Sequence, residues 1–109
     1  MKKAGESVEA RVRQVVDDLK GYNPIRVILF GSAARGDADE FSDLDFVVIK
    51  ETDKPLLGRM KEVALLCKVP GPIDFFVYTP QEWRQMQEQD SPFVERVLQE
   101  GRVVHEAKS

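Results

Sequence analysis

Apolar residues at Val8, Val12, Val15, Val16 and Leu19 recur at helical spacing, so they share one face of an amphipathic helix. Gly21 and the Asn23-Pro24 pair end that helix. Ile25 to Phe30 is a short run, apolar except for Arg26, and its length and β-branched content suit a buried strand. Ser32 to Phe41 is small and polar, a loop with room for one helical turn. Leu44 to Ile49 reads as a second strand. Phe46 and Val48 lie on one of its faces and Val47 and Ile49 on the other, so both faces are covered and the strand is central. Asp53 before Pro55 marks the start of a second helix, with Leu57, Met60, Val63, Ala64 and Cys67 as its inward stripe. Pro70-Gly71-Pro72 stops it, and Ile73 to Tyr78 forms a third strand. Thr79-Pro80-Gln81-Glu82 is a capping box opening a helix to about Gln89. Ser91-Pro92 repeats the signal for a last helix carrying Phe93, Val94, Val97 and Leu98, with Gly101 at its C-terminal cap. Arg102 to His105 add a short strand. This order holds no repeat and no interior linker. It predicts an α/β (α+β) fold, a small mixed sheet with helices packed on it, built as one domain over residues 1–109.

Composition narrows the setting. With 109 residues, 42% of them hydrophobic, the chain has apolar material for one core. No stretch approaches the roughly 20 apolar residues that span a bilayer, and Met1 to Glu6 lacks a signal peptide's apolar run, which predicts a cytoplasmic protein. The lone Cys67 reads as a small core hydrophobe. A net charge of -3 argues against strong sequence-independent binding to long nucleic acids, which needs many Lys/Arg to phosphate contacts. A nucleotide arriving with its own metal ions remains compatible.

Three aspartates carry the candidate chemistry. Asp43 and Asp45 are two apart, so along a strand both carboxylates project from one face with Cα atoms roughly 6 to 7 Å apart. Such a pair repels itself unless a cation lies between. Asp74 opens the third strand among apolar neighbours, where aspartate is a poor strand former. If the second and third strands are adjacent, its carboxylate converges on the first two. Three carboxylates make an all-oxygen site suited to Mg²⁺ or Mn²⁺. Two such ions would clamp the attacking and leaving oxygens of an in-line phosphoryl displacement. Ahead of them stands Phe30-Gly31-Ser32-Ala33-Ala34-Arg35-Gly36. Gly31 permits close backbone approach to a phosphate, Ser32 offers N–H and hydroxyl donors, and Arg35 adds a charge-assisted contact. The spacing of Gly31 and Gly36 imitates the start of a Walker A loop, but Asp37-Ala38 stands where Lys-Ser/Thr would follow, which excludes it. Asp37, Asp39 and Glu40 read as a solvated loop and His105 as an ordinary residue. Trp83, Met86, Phe93, Val94 and Leu98 read as core or interface.

The pattern Gly31-Ser32, ten residues, then Asp43-Leu44-Asp45 resembles the signature of the polymerase-β-type nucleotidyltransferase superfamily. The fuller string Phe30 to Val47 resembles its minimal nucleotidyltransferase (MNT) group over nearly the whole chain. That resemblance implies a polymerase-β-like fold and transfer of a nucleoside monophosphate, AMP from ATP above all, to an acceptor hydroxyl. It implies that Gly31 and Ser32 hold the NTP phosphates and that Asp43 and Asp45 bind metal. Asp74 would complete the metal site and help deprotonate the acceptor, and Arg35 and Ser42 match the nucleotide-binding pattern. Members often pair with a HEPN-domain protein as toxin and antitoxin, and some adenylylate a tyrosine of that partner. Two other readings stand beside this one: a non-catalytic antitoxin that neutralises a partner by covering it, and the catalytic subunit of a small-molecule nucleotidyltransferase. The latter usually has a further helical domain for its acceptor. The acceptor itself and the homo- or hetero-oligomeric state are not written in the residues, and the absence of acceptor-binding bulk predicts a partner chain.

Overall fold

A computed structural model describes residues 7–38 and 42–107. Helix α1 spans Val8–Asp18, and Ser7 caps it by accepting from the Ala10 N–H. One 3₁₀ turn, Lys20–Tyr22, follows. Strand β1 is Arg26–Phe30, α2 is the single turn Ser32–Arg35, and β2 is Leu44–Ile49. Helix α3 (Leu56–Leu66), β3 (Ile73–Tyr78), α4 (Pro80–Glu88), α5 (Pro92–Glu100) and β4 (Arg102–Glu106) complete the order. Asp39, Glu40 and Phe41 of the expected loop, like the Met1 to Glu6 segment, lie outside the described residues.

The sheet runs β3-β2-β1-β4. β1 is antiparallel to both β2 and β4, whereas β2 and β3 are parallel, so the sheet is mixed as expected. β2 lies inside it, flanked on both sides. Alternation along the strands divides the interior into two cores. Val27, Leu29, Leu44, Phe46, Val48, Phe75 and Val77 face α1 and α3. Ile28, Phe30, Val47 and Ile49 face Trp83 of α4 and Val94 and Val97 of α5.

Four expectations need correction. Helix α3 is capped by Pro55 and not by Asp53. Its inward stripe is only partly as expected: Val63 is buried and Met60 half-buried, but Leu57 is 75% exposed, Ala64 is exposed, and Arg59 is buried instead. α3 packs mainly against the edge strand β3, which offers a narrow surface. Arg59 occupies it by laying its stem inward and bonding its guanidinium to the Lys54 and Val77 carbonyls and to Glu82. Cys67, half-buried at the helix end, does pack against the core as expected. Leu98 is exposed, so it is no part of the core. Gly101 does cap α5, but in extended backbone. A Cβ there would collide with the Val97 carbonyl oxygen and lie 2.8 Å from Ile28 Cγ2, so close packing, not left-handed geometry, demands glycine.

The Arg59–Glu82 pair ties α3 to the first turn of α4, where Thr79 and Glu82 form the expected capping box. The hydrogen bond from Arg59 holds the Glu82 carboxyl below its ordinary value of 4.5. The contribution to stability is therefore present above that ordinary value and lost as pH falls through the lower, folded one. Glu82→Gln should lower stability at neutral pH by about 1 kcal/mol, modest because Glu82 is 41% exposed. Thermal melts should show the gap to the native chain narrowing below about pH 4. A gap that does not depend on pH would contradict the ion-pair account.

Candidate functional site

The three aspartates lie at one end of the sheet. β2 and β3 pair in a register that sets Asp45 opposite Asp74, and β1 enters from the other side with Phe30 opposite Asp45. By alternation Asp43, Asp45 and Asp74 project from the face that carries Val47, Ile49, Phe76 and Tyr78, the face covered by α4 and α5. Phe30, Phe76 and Phe93 pack beside them with ring centroids 5.5 to 5.9 Å apart. This aromatic wall keeps water from one flank of Asp45, which is half-buried, while Asp43 and Asp74 are exposed.

The electrostatics are strained toward a cation. Burial raises the Asp45 carboxyl above its ordinary value of 3.8, and the charge of Asp74, a hydrogen bond with Asp74 and the charge of Asp43 raise it further. Only Arg96 opposes them. Asp45 and Asp74 are thus in contact, with Asp43 within electrostatic range. Among the described residues, however, no three His, Cys, Asp or Glu side chains gather closely enough to form a finished metal cage. Like charges at this range repel, which favours spreading of the carboxylates while no cation lies between them. The donor set is all oxygen, the kind that suits Mg²⁺ or Mn²⁺, and a divalent cation is the charge that would relieve Asp45.

Gly31 joins β1 to α2 with φ 79° and ψ -158°, backbone that side chains other than glycine's rarely adopt. A Cβ at Gly31 would meet Asp45 Oδ2 at 2.6 Å, so the glycine-serine turn and the carboxylate lie directly against each other. Ser32 is half-buried at the first position of α2, and its carbonyl accepts from the Asp37 N–H at 3.0 Å. Arg35 is exposed and pairs with Asp37 at 3.1 Å and, very closely, with Glu100 of α5. Ser42 lies just before β2 and is held through its carbonyl, which accepts from Arg11 Nη1 at 3.3 Å.

Arg11 was not singled out by the sequence reading, which traced only apolar positions, although its spacing from Val8 and Val15 sets it on the same face of α1. It is only 7% exposed. Besides Ser42 it reaches the Pro70 carbonyl at 3.4 Å, and a Cβ on Gly71 would approach its Nη2 to 2.9 Å. One guanidinium thereby ties the segment preceding Asp43 to the one preceding Asp74, and Leu44 N–H donates to Pro72 O across the same seam. Arg96 and Glu100 of α5 were also missed. Their spacing of four places them on one helix face, but nothing in the spacing says that this face borders the aspartates.

The family model described as "Nucleotidyltransferase domain" matches residues 10–107. Among solved structures, the chain is similar to a protein of Sulfolobus solfataricus whose nucleotidyltransferase name is provisional. The TM-score is 0.59 at 23% identity, over 97% of this chain and 92% of that one. That likeness is one of fold. No curated protein matches the chain.

Proposed function

This chain belongs to the nucleotidyltransferase-domain family, and from that premise we propose that it moves a nucleoside monophosphate, AMP from ATP, onto an acceptor hydroxyl. The observation that carries the reading is the meeting of three parts at one point: the Asp45–Asp74 pair, the Gly31 turn against Asp45 Oδ2, and the neighbouring charge of Asp43.

In the proposed reaction Gly31 and Ser32 present backbone N–H and hydroxyl donors to the β and γ phosphates, with Arg35 and Ser42 beside them. The acceptor oxygen attacks the α-phosphorus in line, a new P–O bond forms, the α–β phosphoanhydride bond breaks, and pyrophosphate leaves. The acceptor proton passes toward Asp74, at the open edge of the sheet. Asp43, Asp45 and Asp74 would hold two Mg²⁺ or Mn²⁺ ions, which when bound supply charge neutralisation for the developing phosphoryl oxyanions. Asp45, half-buried beside Phe30, is oriented by its packing, which is the kind of preorganisation that phosphoryl transfer depends on.

The acceptor in this proposal is a partner protein of the HEPN type, with the chain acting as antitoxin in the cytoplasm. Exposed Leu57, Leu65, Leu98 and Val103 support a chain that meets partners, since apolar side chains at a surface favour association. The same observation favours the second reading, neutralisation by complex formation alone.

Incubation with labelled ATP, Mg²⁺ and the protein that co-purifies with the chain separates the two. Label on the partner from the native chain, and none from Asp43→Asn, is expected. Neutralisation of the partner by both proteins without transferred label would replace catalysis with binding.

A further inference from the structure

We propose that Arg96 is a second phosphate-binding residue of the transfer site, completing with Arg35 a two-arginine clamp for a nucleoside triphosphate. The proposal rests on the nucleotidyltransferase reading and adds to it a side chain from the opposite wall of the site.

Helix α5 presents Phe93, Arg96 and Glu100 along one stripe, at spacings of three and four. Both ends of that stripe are pinned. Phe93 packs edge-on against Phe30 at 5.5 Å, and Phe30 is the register partner of Asp45. At the other end Glu100 bonds to Arg35, which stands three residues after Ser32. Arg96 lies between these contacts, so the stripe leads it across the mouth formed by the carboxylates and the Gly31-Ser32 turn. Its charge acts on Asp45, opposing the effects of burial and Asp74.

Glu100 is the hinge of the arrangement. Its two oxygens accept from different arginines, one from Arg35 and the other from Arg96 Nε at 2.7 Å, and its side chain is only 18% exposed. One carboxylate therefore holds two guanidiniums side by side. Arg96 is 57% exposed, and among the described residues its Nη groups donate to no protein oxygen. Arg35 likewise has, among the described residues, one Nη group that donates to no protein oxygen, while Nε and the other bind Asp37 and Glu100. A pair of planar forks with donors not taken up by protein oxygens fits successive phosphates, which guanidinium binds with charge-assisted, often bidentate hydrogen bonds. Arg35 is already paired with Asp37 and Glu100, so a second guanidinium adds positive charge for the phosphates beyond what the metal ions at the aspartates would supply.

The test compares ATP with AMP, since AMP lacks the β and γ phosphates. Affinities of the full chain for each are measured in Mg²⁺ by competition against labelled ATP, with melting temperatures alongside. Arg96→Met should weaken ATP about tenfold while leaving AMP affinity and melting temperature unchanged, and Arg96→Lys should recover part of the loss. Arg84→Met, an exposed control on α4, should change neither. Unaltered ATP affinity in Arg96→Met, or equal weakening of ATP and AMP, would overturn the clamp. A native chain that binds ATP normally while Arg96→Met does too defeats this inference alone, whereas a native chain that binds no ATP defeats the nucleotidyltransferase reading beneath it.

Discussion

Asp45→Asn is expected to lose nucleotidyl transfer by at least about a thousandfold, roughly 4 kcal/mol of transition-state stabilisation, while making the folded chain more stable. The two effects have one cause. Asp45 is held half-buried against Phe30, with Asp74 in contact and Asp43 nearby, so its charge is disfavoured in the folded state. Asparagine keeps the shape and removes the charge, which deletes the self-repulsion together with the proposed metal ligand. The pH dependence follows from the raised carboxyl. Above its folded value the native chain carries the penalty in full. As pH falls through that value toward the ordinary 3.8, the native state takes up the proton first and the penalty fades. The melting temperature of Asp45→Asn should therefore exceed that of the native chain most at neutral pH, with the difference closing as the solution is acidified. Single-turnover transfer assays and melts across pH 4 to 8 check both halves. Unchanged turnover would remove Asp45 from the reaction, and a variant less stable than the native chain at pH 7 would contradict the crowding. A site kept at a cost in stability is an expected trade between activity and folding.

Gly31→Ala should damage both fold and function. The added Cβ must occupy a left-handed φ of 79°, and it would stand 2.6 Å from Asp45 Oδ2. The backbone strain alone is on the order of 1 to 3 kcal/mol, enough to lower the melting temperature by about 10 °C in a domain of this size. Transfer should fall about a hundredfold, the usual consequence of displacing a reacting group by about 1 Å. Gly36→Ala isolates the second component, because Gly36 has φ 85° but nothing within 4 Å of a built Cβ. It should share the loss of stability and keep most of the activity. Gly21→Ala, with open space and no positive φ, should be nearly silent. Equal activity in the Gly31 and Gly36 variants would show that the contact with Asp45 does not matter.

The sequence reading located nearly every element, because helices and strands announce themselves through periodicity, caps and glycine or proline punctuation. Each of these signals is local. Thr79 to Glu82 had only to satisfy its own first turn, and its capping box appears as read. The reading failed where a long polar side chain was drawn inward. Arg11 and Arg59 went unremarked because a charged residue leaves no mark on an apolar pattern, yet each found backbone carbonyls to bond in the interior. Leu57, apolar and assigned inward, found no sheet beneath it at the narrow edge beside β3. A hydropathy pattern records what a side chain prefers, not whether a partner awaits it.

By itself, then, the chain's order of residues determined the alternating strands, the glycine-serine turn after β1, and the two-residue spacing of Asp43 and Asp45, all of which follow from the sequence over a few residues. Tertiary structure alone decided that β3 lies parallel to β2 in the register setting Asp74 against Asp45, and that α5 crosses the same face with Arg96 and Glu100. Strand neighbours and helix placement arise from contacts between segments dozens of residues apart, chosen by competition among all the surfaces that could pack together. No window on the chain is wide enough to contain that competition.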